Sequence, residues 1–506
     1  MSIPNFMPIN YLVPFVAHRF DASQAIRGLR GMPRKLLLIG QRLPTAVAVP
    51  YAGLANDTLG QITTEVEAIA KLGEGSMLLA MWRGARANAV SGLPIHVVCL
   101  ADNATANKAA GKFVLSFATT GGVTPTTAPL SGEATVYLHS QRIAVGVTVG
   151  DTLAQIAAKF IVAINALPSL QVTASAGATP EEVALECKWA GATGNEIDVR
   201  VSYFADDTLA KDLIITVTAL TGGTLNPSVT PVITAMNNFR ATEIVCPYTD
   251  NANLAILEAD AEARWLANNM ADGQIVKVKR GTEGQIVAWK TARNSAQGHT
   301  VGVTRDLTNT WELAAMLGAA IESGAALDPA VPFTGTELVG YVPARQQDDW
   351  TTAQLNVLLT AGVSVLRNIG GKAQILRMVT DYTTHATGAL DPSYRNLCWV
   401  KTLSYYRWFV VTEFQTKYNN YKLAEYITEP IPGQKIMTKM LVEEIMLGVY
   451  EQFCAVAMMQ NPKYYKQSLL AEIDGTNGRV KIIDEPVLVT QHYQTEITSQ
   501  WHAGHV

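Results

Sequence analysis

The 506-residue chain predicts an α/β protein: a central mixed α/β domain carrying an inserted β-rich domain, then an α+β C-terminal domain, with extended arms at both ends. Three observations predict it. Short apolar runs alternate with helically spaced apolar residues across 32–101 and again across 226–380, the rhythm of a mostly parallel sheet with helices on its faces. Between them, residues 113–180 hold only four charges, Glu133, Arg142, Asp151 and Lys159, among Thr, Ala, Val and Gly. Both ends lack helical spacing yet are rich in aliphatic and aromatic residues.

In chain order, Lys35–Gly40 is a buried strand, Gln61–Leu72 and Met77–Arg86 are helices, and Ile95–Leu100 is another buried strand. In the β-rich insertion, 134–139 and 142–148 form a hairpin. Helix 152–167 follows behind an Asp151 cap, and strands fit 183–189, 197–203 and 213–220. The alternation then resumes: helix 231–238, strand 241–246, helix 251–269, strand 274–279, helix 282–293, strand 300–304 and helix 310–322. Helix 351–361 and strands 363–367 and 373–379 close the set. Helices rich in aromatics and Met span 394–421 and 433–459. Beyond the turn signals at Asp474-Gly475 and Asn477-Gly478 come Arg479–Asp484 and an alternating terminal strand, Val487–Ile497. The domains are therefore 1–30 (N-terminal arm), 31–103 with 225–385 (α/β), 104–224 (insertion), 386–484 (C-terminal domain) and 485–506 (terminal strand).

Composition narrows the function. Hydrophobic residues make up 48% and charged residues 16%, which excludes a disordered chain and leaves much surface for burial against other copies. A net charge of −4 without any like-charge block gives nucleic acid little purchase. Five scattered cysteines form neither a disulfide framework nor a zinc site, and point to reduced thiols made in a cytoplasm. No secretory signal or spanning apolar run is present, so no membrane insertion is expected.

Chemistry is hard to find. The segment Gly298-His299-Thr300-Val301-Gly302 is similar to a short His-containing segment of subtilisin-like proteases. A triad also needs an orienting Asp and an exposed Ser, and Ser364 lies between valines in a buried strand. Asp348-Asp349 caps the helix that follows. The glycines at 28, 31, 370 and 371 fit turns. No metal or cofactor motif occurs, so neither an enzyme nor a cofactor is expected.

The ends are better placed to act. Pro4, Pro8 and Pro14 exclude helix, while Tyr11, Leu12, Val13, Phe15 and Val16 need a surface to cover them. Thirty extended residues reach ~100 Å, against a radius of gyration of about 23 Å for the whole chain. The alternating C-terminal strand puts Val487, Val489, Tyr493 and Ile497 on one side, suited to adding to another subunit's sheet. Two such ends point to head-to-tail polymerisation.

The order of parts resembles the tail sheath proteins of contractile-tailed, Mu-like bacteriophages. Trp350–Arg367, a helix running into Gly362-Val-Ser-Val-Leu-Arg367, is similar to the family's helix and following strand. Tyr394–Trp408 is similar to its Arg- and aromatic-rich helix. The resemblance implies a virion structural protein made in the host bacterial cytoplasm. Its central domain would be subtilisin-like by fold without the triad. It would form hexameric rings stacked around a tail tube and contract to drive that tube through the host envelope. Its partners would be other copies, the tube protein, and baseplate and tail terminator proteins. Both terminal arms would join neighbours, and Lys435 and Lys439, expected on one face of helix 433–459, would meet the tube. The alternative is a surface-displayed adhesin or other virion protein that uses the β-rich insertion to bind carbohydrate.

Overall fold

The computed structural model describes residues 29–43, 54–119, 122–204, 206–425 and 434–502. They fall into two compact units, one from Met32–Asn419 with Leu488–Val506, the other from Met1–Gly31 with Asn420–Val487.

The larger unit is built on an eight-stranded sheet. Its order is Lys372–Arg377, Val363–Ile369, Gly298–Val303, Gln274–Arg280, Glu243–Val245, Leu36–Gln41, Ile95–Leu100 and Leu59–Gln61. The six inner strands run parallel and each edge strand antiparallel. Leu36–Gln41 is buried along its whole length, as a central parallel strand covered on both faces must be. Helix Thr310–Leu327 is apolar on nearly every side and continues five residues past the expected end, because both its faces are covered. Gly318 lets this helix approach the sheet: a Cβ there would meet Val245, Leu36 and Val276 at 3.0–3.3 Å.

Residues 108–221 add a four-stranded sheet in the order Leu213–Thr221, Lys108–Phe117, Glu182–Ala190, Val172–Ala176, and a three-stranded sheet in the order Gln141–Val147, Gly132–Leu138, Val199–Val201. The expected hairpin forms between Gly132–Leu138 and Gln141–Val147. Helix Leu153–Asn165 is capped by Thr152 in a capping box with Gln155, not by Asp151. Asp151 instead accepts from Thr148 N (2.7 Å) and Lys159 (2.5 Å). Strands Lys108–Phe117 and Val172–Ala176 escape the sequence reading. The first carries two lysines and a glycine, and the second is small and half polar.

These sheets seal the C-terminal edge of the parallel strands. Gln41, ending its strand, donates to Ala190 O and Asp102, both at 2.6 Å. Arg280, ending another, donates to Glu196 O at 2.9 Å. Trp189 and Trp311 meet edge to face at 5.7 Å, both fully buried.

In the smaller unit, helix Lys439–Ala455 leads to the short helix Pro462–Ser468 and a hairpin of Leu470–Asp474 with Arg479–Ile483. Tyr450 and Tyr465 stack at 3.7 Å, and Tyr450 Oη donates to Gln460 O and accepts from Val487 N. The other aromatic helix, Leu397–Lys417, belongs to the larger unit.

The tryptophan pair gives a test. Trp189→Ala is expected to lower unfolding stability by about 3–5 kcal/mol through the cavity it leaves; urea denaturation of the full chain measures this, and a loss below ~1 kcal/mol would mean the contact is not a structural joint.

Candidate assembly elements and a buried charge network

The protease-like histidine sits where no substrate reaches. His299 lies fully buried in strand Gly298–Val303, and its Nε2 is 2.6 Å from Glu243 Oε1. No hydroxyl takes the place of a nucleophile on this ring among the described residues. Ser364 exchanges hydrogen bonds with the backbone of Val379, both 2.9 Å, and is fully buried.

His299 is instead the end of a chain of charges inside the fold. Glu243 Oε2 accepts from Lys401 Nζ at 2.5 Å, and the same ammonium donates to Glu322 Oε1 at 2.5 Å. Glu322 Oε2 accepts from Thr242 at 2.7 Å and pairs with Arg34 at 3.3 Å. The links come from two strands, the segment before strand Leu36–Gln41, and helices Thr310–Leu327 and Leu397–Lys417. Burial pushes the Glu322 carboxyl up, but Lys401 and Arg34 outweigh it and bring it down to about 2. A second buried group joins Lys277 to Asp381 at 2.6 Å and Glu258 at 3.0 Å.

Asp348 and Asp349 do not cap the following helix. Thr351 does, in a capping box with Gln354. Asp348 pairs with Arg305 and Arg345, while Asp349 accepts from Trp350 N and Asn368 N. The four fully buried cysteines, Cys99, Cys187, Cys246 and Cys398, have thiols pushed up to about 12 by desolvation. Among the described residues, no group of three His, Cys, Asp or Glu is placed to hold a metal. Nor is any helix among them long and apolar enough to cross a membrane.

The C-terminal segment departs from expectation. Residues 489–502 form no strand; they lie along the larger unit without a ladder. Side chains replace the ladder: Trp399 Nε1 donates to Val489 O (3.1 Å), Gln491 Nε2 to Ala330 O (2.9 Å), and Asn396 Nδ2 to Gln491 Oε1 (2.5 Å). Arg377 lies 4.3 Å over the Tyr493 ring. The alternation itself is present from Val489 to Gln494, with 489, 491 and 493 inward and 490, 492 and 494 exposed. Ile497 and Trp501 are each 81% exposed. Val487 belongs to the smaller unit, where Gln460 N donates to its carbonyl at 2.9 Å.

Lys435 and Lys439 do not share a helix face. Helix Lys439–Ala455 starts behind the Thr438 cap, which leaves Lys435 before it, donating to Asn420 at 3.1 Å. Lys439 pairs with Glu443 at 3.8 Å. Tyr11, Leu12, Val13, Phe15 and Val16 lie outside the described residues. Gln491 is the most buried described residue of the terminal segment, and the alternating pattern alone does not single it out. Its amide becomes identifiable as an anchor only when Asn396 and Ala330 are brought beside it.

Residues 222–380, which supply five strands of the large sheet, match the model of the phage tail sheath protein central domain. In these residues the chain is similar to the phage tail sheath proteins. Within that class it is similar to the Mu-like prophage FluMu tail sheath protein of Haemophilus influenzae, at 29% identity over 495 residues, 97% of this chain and 98% of the relative. Two solved sheath tail proteins are also similar. That of Desulfitobacterium hafniense has 11% identity and a TM-score of 0.46, covering 94% of this chain and 100% of its own. That of Listeria innocua has 11% identity and a TM-score of 0.47, covering 91% and 96%.

Two outcomes follow from this geometry. Lys401→Met strands two buried carboxylates and is expected to cost about 3–5 kcal/mol in denaturant unfolding. Glu322 is held below its ordinary 4.5, so its contribution is complete above that value and fades as pH falls toward about 2. Removing the ammonium raises that carboxyl, so the acid-unfolding midpoint of Lys401→Met should move to higher pH; an unmoved midpoint counts against the network. Separately, Gln491→Ala should speed chymotryptic cleavage at Tyr493 by roughly tenfold or more, since it orphans the groups that Gln491 satisfies and frees the segment to open. An unchanged cleavage rate would mean other contacts hold the segment.

Proposed function

We propose that this chain is the protomer of a contractile tail sheath. It polymerises as stacked hexameric rings around the tail tube, and contracts to drive the tube through the host envelope. The single observation that carries the reading is the likeness along 97% of the chain to a tail sheath protein, which includes both ends and not the central domain alone. On this reading the eight-stranded sheet is a subtilisin-like fold without its triad. The segments 31–103 and 225–385 form it, 104–224 is a surface insertion, and 386–484 is the C-terminal domain.

The terminal segments are the proposed linkers. Residues 489–493 are gripped through side chains, so their backbone groups are not committed to a ladder. The same groove on a second copy fits the same segment, an exchange that needs no new contacts. Val487, Val489, Tyr493 and Ile497 at one end, and Tyr11, Leu12, Val13, Phe15 and Val16 at the other, are proposed to make these inter-subunit contacts. Subunits linked in this way can rotate as rigid bodies without parting. Lys435 and Lys439 are proposed to face the tube, with the baseplate and tail terminator proteins as end partners. The matching family model and the similar full-length protein are both of tail sheath proteins, which supports a non-enzymatic role.

Deleting residues 485–506, or 1–20, should leave soluble, folded protein that forms no tubes. Negative-stain electron microscopy over a concentration series checks this, with circular dichroism to verify folding. Normal tubes from both truncations would sink the linker role.

A further inference from the structure

An open cavity of about 460 Å³ lies in the larger unit, where the inserted strands meet loops that follow the large sheet. Val201 and Ile215 give it an aliphatic wall, while Arg200, Arg305, Arg345 and Asp348 bring charge. Its volume is that of a small-molecule or side-chain site, well beyond the room a lone ion needs.

The guanidiniums are held in place. Arg345 N donates to Tyr203 Oη at 2.9 Å, and Arg345 Nε donates to Asp348 Oδ2 at 3.0 Å. The Tyr203 ring has Arg200 and Arg345 each at 5.1 Å, and it packs edge to face with Tyr137 and Phe204. Tyr203 is itself buried, so both arginines rest on a fixed ring. Arg305 reaches Asp348 Oδ1 at 3.3 Å and is otherwise 69% exposed. Arg200 pairs with Asp198. Three cations against two carboxylates leave one positive charge unbalanced, beside a low-dielectric wall that strengthens its field.

These features select a ligand. One unbalanced charge matches a monoanion. A guanidinium fork matches the two oxygens of a carboxylate. Guanidiniums attend the Tyr203 ring, so it offers no open platform for a sugar, and the remaining wall suits methylene groups. We propose that this cavity binds a carboxylate on a short aliphatic stem, its oxygens at Arg305 and Arg345 and its methylenes against Val201 and Ile215. The carboxylate comes from a free small acid or from an exposed Glu or Asp of a second copy; the recognition chemistry is the same.

Calorimetric titration of the full-length protein at low ionic strength tests this, with N-acetyl-glutamic acid amide as the probe and the glutamine analogue as control. Saturable one-site binding of the glutamate compound alone is expected. It should weaken about tenfold or more in Arg305→Gln and in Arg345→Gln, be partly retained in Arg305→Lys, and be unchanged in Arg86→Gln. Absent binding, equal binding of the glutamine analogue, or full binding in both glutamine variants overturns the assignment. Thermal melts matched to the parent protein exclude loss through misfolding. The source is decided by assembly. Slower tube growth in Arg305→Gln, with inhibition of the parent by the glutamate compound, supports a second copy's side chain. Unaltered growth alongside intact binding in the parent supports a free acid.

Discussion

The larger unit depends on one ammonium group. Lys401 sits between Glu243 and Glu322, two carboxylates that no water reaches, and its removal leaves like charges facing each other in the interior. Buried ion pairs stabilise little against an apolar replacement, because desolvation offsets their attraction. Their effect is on alternatives: any other register of helix Leu397–Lys417 against the sheet would orphan several charges at once. Arg34 and His299 extend the same constraint to both ends of the chain of partners, so two strands with one between them and two helices share one polar alignment.

That alignment explains why a protease-like segment carries no protease geometry here. The imidazole of His299 is spent on Glu243, within the sheet, rather than presented at its rim. At the C-terminal ends of the parallel strands, where α/β sheets ordinarily hold ligands, the inserted sheets close over Gln41, Arg280 and Trp311. The insertion is thereby fixed to the large sheet by buried contacts.

The terminal segment shows the opposite design. Its hold on the larger unit is a handful of side-chain hydrogen bonds and one cation–π contact, with Ile497 and Trp501 left to solvent beyond them. Weak, local docking of this type opens at far lower free energy than a core strand. The contrast between a core locked by buried charge and an end held by a few contacts is what an assembling subunit requires.

Periodicity and turn chemistry were enough to place most elements. Ile95–Leu100 is a strand with those same limits, and the Asn477-Gly478 turn joins a hairpin, because apolar spacing and positive-φ preference are local properties. Local signals failed where a competing residue or a distant partner decided. Thr152 and Thr351 displaced neighbouring aspartates as caps, because their hydroxyls reach the third residue of the helix while Gln155 and Gln354 return the bond. The expected terminal strand kept its alternation and lost its ladder, because a ladder needs a second strand and the chain offers side chains there instead. By itself the sequence determined the α/β alternation, the low-charge insertion and the apolar ends, since each is written in residue types along the chain. Only the tertiary structure decided the partners of Lys401, the burial of His299, the gathering of three arginines around one cavity and the anchoring of Gln491. Those pairings join residues up to hundreds of positions apart, and their energies exist only once the intervening chain has folded.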